Sequence, residues 1–201
     1  MIRKTIWGAA ILMSLPLSLL VALPPASAEG TKPAELRPVL LVVDVQNSWL
    51  PAMDDSDRAS APAKINEAIS LFRQYGYPVV AVYHSDPKGG PPPGTDLFRF
   101  PEWVAITDDD PVIVKAHPSA FTKTDLDSVL HATGRNAVFL CGLSAVGCVL
   151  ATYFGADDRG YMAFMVEGAL LSHDSSYTAV IEDICDSVSL RELATLLGGQ
   201  R

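Results

Sequence analysis

The sequence predicts an α/β domain built on a mostly parallel sheet with right-handed crossovers. Five continuous apolar runs, such as "RPVLLVVDVQ" and "NAVFLCGL", read as strands buried on both faces. Segments with helical spacing separate most of them, and that alternation belongs to βαβ architecture. No internal repeat and no second compositional region interrupts the pattern.

The first 28 residues stand apart from this pattern. "MIRKTIWGAAILMSLPLSLLVALPPASAEG" sets Arg3 and Lys4 before an apolar run from Ile6 to Leu23 and then Ala26-Ser27-Ala28. That order is a secretory signal peptide with cleavage expected after Ala28. It leaves residues 29–201 as a single domain, exported to the periplasm or medium, with no stable membrane insertion once the signal is cut. Losing the two signal cations leaves 13 basic against 23 acidic side chains. So acidic a chain argues against a nucleic-acid or anionic-membrane partner.

In order, the first strand "RPVLLVVDVQ" ends at Asp44. "APAKINEAISLFRQYG" carries Ile65, Ile69 and Phe72 at helical spacing and stops at Gly76. "YPVVAVYHSD" is the second strand, and "PKGGPPPGTD" is a loop by its Pro and Gly content, read as a border of the site. "DPVIVKAH" is a third, short strand that ends at Lys115. "TDLDSVLHATG" is a helix opened by Thr and Asp and closed by Gly134. "NAVFLCGL" is the fourth strand, "GCVLATYFGADDRG" the helix after it, and "YMAFMVEGAL" the fifth strand. A helix from Ser175 to Asp183 and a short segment from Ser187 to Leu190 complete the chain.

Ligands of open α/β sheets bind beyond the carboxyl ends of the strands. Asp44 ends the first strand, Lys115 ends the third, and Cys148 lies just past the fourth, so three reactive side chains are expected at one edge. The cysteine count points the same way. Three cysteines, Cys141, Cys148 and Cys185, are too few and odd in number for a disulfide framework, and at least one thiol is expected to be free. Cys141 reads as a core residue. Cys148 falls at a helix start, where the dipole and a nearby Lys115 are expected to lower its pKa and Asp44 to accept its proton. Gly142 and Gly147 allow the tight bend that aims backbone N–H groups at an oxyanion. No zinc-binding spacing occurs, and neither metal nor cofactor is expected.

The stretches "LLVVDVQNSW", "VIVKAHPSAFTKTDLDSVL" and "VFLCGLSAVGCVLATYFGADDRGY" resemble those of the isochorismatase-like cysteine hydrolases, which include nicotinamidase and N-carbamoylsarcosine amidohydrolase. The likeness runs from about Val39 to Leu197. It implies a three-layer fold with a six-stranded sheet of order 3-2-1-4-5-6 and an Asp-Lys-Cys triad at Asp44, Lys115 and Cys148. A cis peptide bond at Leu143–Ser144 and an oxyanion hole from the backbone N–H groups of Ser144 and Cys148 are implied as well. Ala145 and Val146 stand where the family usually has Thr and an acidic or amide residue. His84 and Asp86 come in the wrong order for the nicotinamidase metal site. Gln46, Trp49, His84 and Phe121 are candidate pocket residues, with His117 and Trp103 behind them. His131 and His173 read as surface residues.

The expected activity is hydrolysis of a C–N bond in a small amide, carbamoyl or ureido compound through a thioester, by a homo-oligomer. The alternatives are vinyl-ether hydrolysis of the isochorismate type, or a binding or redox-sensing protein that keeps the fold without turnover.

Overall fold

The computed structural model describes residues 35–199; the signal peptide expected over residues 1–28 lies outside them. The strands are β1 (Pro38–Val43), β2 (Val79–His84), β3 (Val112–Lys115), β4 (Ala137–Leu143), β5 (Met162–Leu171) and β6 (Ser187–Val188). The helices are α1 (Asp55–Gln74), α2 (Leu126–Ala132), α3 (Leu150–Asp157), α4 (Ser175–Ile184) and α5 (Leu190–Gly198). All strand pairs are parallel, and the sheet order is β3-β2-β1-β4-β5-β6.

Every residue of β1 and β4 is buried, as their unbroken apolar runs require. Side chains of a strand alternate between faces, so each strand feeds two cores. Leu40, Val42, Phe139 and Cys141 pack with Ile65, Ile69 and Phe72 of α1 and Leu193 and Leu197 of α5. Val39, Leu41, Val43, Val138 and Leu140 pack on the other face with Leu126 and Leu130 of α2 and Ile181 of α4. Each such side chain contributes about 1.5–3 kcal/mol by burial.

The edge strand β3 alternates differently. Val112 and Val114 face outward, while Ile113 and Lys115 face inward. A lysine on the inner face of a strand must find a partner or lose its charge, and this one finds a partner in the site.

α1 begins six residues before the stretch that carries its helical spacing in the sequence. The Asp54 side chain accepts hydrogen bonds from the Ser56 N–H (2.8 Å) and hydroxyl (2.6 Å). That cap and the first-turn acids Asp55 and Asp57 begin the helix upstream, with Pro62 inside it. α5 extends the chain's last segment into a full helix. Its Ser189 and Glu192 form a capping box, and Leu190, Leu193 and Leu197 make its buried stripe.

The long connection between β2 and β3 is anchored at several points. Phe98 and Phe100 stack on Tyr83 at ring distances of 4.8 and 4.2 Å. The Asn66 side chain of α1 donates to the Trp103 carbonyl (2.6 Å) and accepts from the Ala105 N–H (2.9 Å).

Candidate active site

Parallel register brings the strand ends to one edge of the sheet. Lys115 is the register partner of His84, and Asp44 follows Val43, which lies between Val82 and Gly142. Lys115, His84, Asp44 and the turn after β4 therefore stand side by side, in that order across the sheet.

Two backbone features shape the turn. Asp44 has φ +52°, a left-handed conformation uncommon for a residue with a side chain. Its N–H donates to the Val82 carbonyl (2.8 Å) and its own carbonyl accepts from the Gln46 N–H (2.6 Å), which hold it there. Gly142 has φ +110°, and a Cβ at that position would lie 2.1 Å from the Val43 carbonyl oxygen. Glycine is what lets β4 run this close to β1. The Leu143–Ser144 peptide is cis, and the chain then bends at Gly147 (φ −118°, ψ −110°) before α3. Among the described residues, the Ser144 N–H meets no backbone acceptor, and the Ser144 carbonyl accepts from Gly147 and Val149 (2.9 and 3.2 Å).

The charges are arranged around one buried ammonium. Lys115 Nζ lies 2.7 Å from Asp44 Oδ2 and 3.2 Å from His84 Nδ1. Lys115 and Asp44 are only 1 % and 2 % exposed. Burial raises the Asp44 carboxyl above the ordinary range, against the opposing pull of Lys115. The other oxygen, Oδ1, is buried with no ordinary hydrogen bond. Cys148 Sγ lies within 4.8 Å of the carboxylate and of the His84 ring. Its thiol is pushed up to about 11, by burial first and by the Asp44 charge second, with Lys115 acting the other way. The helix-start argument expected a lowered value. Desolvation and the adjacent carboxylate outweigh the dipole and the lysine, and the resting proton is on sulfur. His84 is lowered, by burial and then by Lys115.

A pocket of about 230 Å³ opens over this group, lined by Asp44, Trp49, Met53, His84, Leu143, Ser144, Gly147 and Cys148. Asp44, Ser144, Cys148, Trp49 and His84 thus meet at one cavity, with Lys115 beneath them. Gln46 does not line it. Wholly buried, its amide donates to the His84 and Phe98 carbonyls (3.1 and 2.9 Å) and accepts from the His84 N–H (2.8 Å). Gln46 is a clasp joining the ends of β1 and β2 to the long loop, and among the described residues no residue of that loop lines the pocket. Phe121 also lies elsewhere, stacked on Tyr161 (5.8 Å) with the Arg159 guanidinium 5.0 Å from its ring centre. The apolar residue after a short connection from β3 serves the core under α2, not the cavity. His117 and Trp103 are outside the lining too. Met53 and Leu143 are walls that the sequence reading did not select; Met53 closes the turn that opens with Trp49 and Leu50.

Asp44, His84 and Cys148 offer a carboxylate oxygen, a ring nitrogen and a sulfur close enough together to hold a metal. The Lys115 ammonium already sits against two of those three side chains. A divalent ion would meet a fixed positive charge there, so this donor set does not fit one.

Comparison with known proteins gives the geometry a family setting. The isochorismatase domain model matches residues 38–188. An uncharacterized isochorismatase family protein of Bacillus subtilis (strain 168) is 32% identical over 152 residues, covering 72% of this chain and 81% of its own. The secreted isochorismatase effector Isc1 of Verticillium dahliae is 26% identical over 163 residues, covering 80% and 85%. Among solved structures, N-carbamoylsarcosine amidase from Thermoplasma acidophilum superposes with a TM-score of 0.67 at 28% identity, covering 77% of this chain and 95% of that one.

Proposed function

The chain belongs to the isochorismatase family, a family of hydrolases with amidases among its members, and from that premise we propose that it is a cysteine amidase, with Cys148 as nucleophile, Asp44 as proton carrier and Lys115 as their electrostatic partner. The observation that carries this reading is a thiol within 4.8 Å of a carboxylate that is itself paired, at 2.7 Å, with a buried ammonium.

Asp44 takes the thiol proton as sulfur adds to the carbonyl carbon of a small amide, carbamoyl or ureido substrate. The C=O π electrons move to oxygen, and the backbone N–H groups of Ser144 and Cys148 receive that oxyanion. Collapse of the tetrahedral adduct breaks the C–N bond, and Asp44 passes its proton to the leaving nitrogen. Water then adds to the thioester and gives a proton to Asp44. The second collapse releases the acid and returns the proton to sulfur.

The raised pKa values support these roles. A carboxyl above its usual range is a better general acid toward the leaving amine than a solvated aspartate. A protonated thiol needs a base within reach, and Asp44 is that base. Burial raises the Asp44 carboxyl and Lys115 opposes that rise.

Export is part of the proposal. The residues at the start of the chain have the order of a secretory signal, and a secreted fungal relative exists. The deciding experiment measures ammonia release from a panel of small amides and ureido compounds by the parent and by Cys148→Ala. Activity in the parent that vanishes in the variant is expected; equal activity in both would overturn the nucleophile.

A further inference from the structure

The proton transfers above use Asp44 and Cys148 and leave His84 without a task, although the fold fixes it firmly. Its backbone is held on both sides by Gln46, and the Trp49 ring meets its ring edge-on at 6.0 Å. Its Nδ1 lies 3.2 Å from Lys115 Nζ. An ammonium has three donors and no acceptor, so Nδ1 must accept and the ring proton must sit on Nε2. Among the described residues Nε2 has no hydrogen-bond partner, and His84 forms part of the pocket wall. The Lys115 contact requires a neutral ring, since an imidazolium offers an ammonium no acceptor, and burial and the lysine both push the His84 pKa down.

The rest of the cavity has no charge to spare. Trp49, Met53 and Leu143 are apolar walls, and among the described residues no cationic side chain lines the cavity. Lys115 lies beneath, its charge balanced by Asp44 at 2.7 Å. The cavity of about 230 Å³ lies below the ~300–1,000 Å³ of ordinary ligand sites.

We propose that His84 Nε2–H is a specificity-determining donor of this pocket, and that the site takes compact, uncharged amides whose acyl part carries a neutral hydrogen-bond acceptor, such as an ester, ketone or ether oxygen, and rejects amides bearing a carboxylate. The inference rests on the hydrolase reading above. A carboxylate entering here would shed its water with no cation to meet it. A neutral oxygen loses less on entry and regains one bond from a donor already oriented by the lysine. By the same logic N-carbamoylsarcosine, which carries a carboxylate, should be a poor substrate.

The test uses three amides of similar length, with ammonia release as readout: methyl succinamate, hexanamide and succinamate. The expected kcat/KM for methyl succinamate exceeds that for hexanamide by about tenfold and that for succinamate by at least as much. In His84→Phe the preference for the ester over hexanamide should fall to about one, while succinamate stays poor. Ratios within one variant cancel any general loss from disturbing Lys115. Binding of the same amides to Cys148→Ala by calorimetry should show the same order, and ¹⁵N NMR of the parent should show the Nε2–H tautomer at His84. Should none of the three be hydrolysed while the His84-dependent binding order holds, the hydrolase reading falls and this inference stands. Turnover with equal rates on ester and succinamate, a preference untouched in His84→Phe, or an Nδ1–H or doubly protonated ring would overturn the inference and leave the hydrolase reading in place.

Discussion

Lys115 Nζ reaches past β2 to within 2.7 Å of Asp44 Oδ2, pairing the edge strand with the centre of the sheet out of contact with solvent. The pair couples the site to the stability of the fold. Removing one member of a buried ion pair strands the other charge, at a cost of about 3–5 kcal/mol. Lys115→Met should therefore lose stability of that order in urea unfolding, and Asp44→Asn combined with Lys115→Met should recover most of it. The loss should also depend on pH. A carboxyl held above its unfolded value favours the fold below that value and disfavours it as pH rises through the folded one. Without the lysine this disfavour is unopposed, so the gap between variant and parent should widen from pH 4.5 to pH 7. A gap that narrows would mean that Asp44 is not the group left stranded.

Asp44→Asn separates reactivity from turnover. The amide keeps the shape of the carboxyl but cannot carry a proton, so turnover should fall by about 10³-fold or more, and adding Cys148→Ala should cost little further. The thiol should respond in the opposite direction. With the Asp44 charge gone and Lys115 unpaired, its pKa drops, and iodoacetamide should label Cys148 faster in the variant than in the parent. Slower labelling together with normal turnover would remove Asp44 from the mechanism.

In the parent, labelling of Cys148 should be slow at neutral pH and rise about tenfold per pH unit toward pH 11. Peptide mapping after short exposures at pH 7, 8 and 9 reads this slope. A rate already at its plateau by pH 8 would show that a thiolate is present at rest.

Gly142→Ala should fail for reasons of backbone alone. The added methyl would lie 2.1 Å from the Val43 carbonyl oxygen at a φ that L-residues avoid. A loss of about 3 kcal/mol or more in thermal or chemical unfolding is expected. Gly160→Ala is the control: its φ is +79° but its Cβ would meet nothing, so only the smaller conformational cost of about 1 kcal/mol should appear.

Protein recovered from the cell envelope or medium should begin at Glu29. Intact mass spectrometry measures this directly, and a full-length species embedded in the membrane would contradict it.

Much of this architecture is written in short, local patterns. The unbroken apolar runs of β1 and β4 announce burial on two faces, and the polar residues that end the runs announce the working edge. Lys115 was legible as a strand-end residue, and the alternation of exposed and buried residues along β3 places it on the inner face. What local pattern does not carry is the identity of a neighbour. Gln46 and Phe121 look like pocket residues along the chain because they flank Asp44 and Lys115. One turns into a clasp on His84 and the other into the core under α2. The thiol pKa is hidden for the same reason. A helix start is visible in sequence, but the depth of burial and the carboxylate that outweigh it depend on strands far away in the chain. The Ser189–Glu192 box was a readable signal for α5, and the Asp54 cap was readable for α1, although the apolar spacing begins only further along the chain.

Burial of the Cys148 thiol also reverses what folding does to a cysteine's vulnerability. In an extended chain this sulfur would titrate as an ordinary thiol, near 9.0; in the folded protein it titrates near 11, which cuts the thiolate fraction at neutral pH about a hundredfold. The thiolate is the form that attacks oxidants and disulfides. On the mechanism proposed above, the folded molecule keeps this sulfur latched and releases it when a carbonyl is in place and Asp44 takes the proton. A resting thiolate trades endurance for readiness; a buried thiol makes the opposite trade, and its endurance toward oxidants is set by how rarely the fold opens.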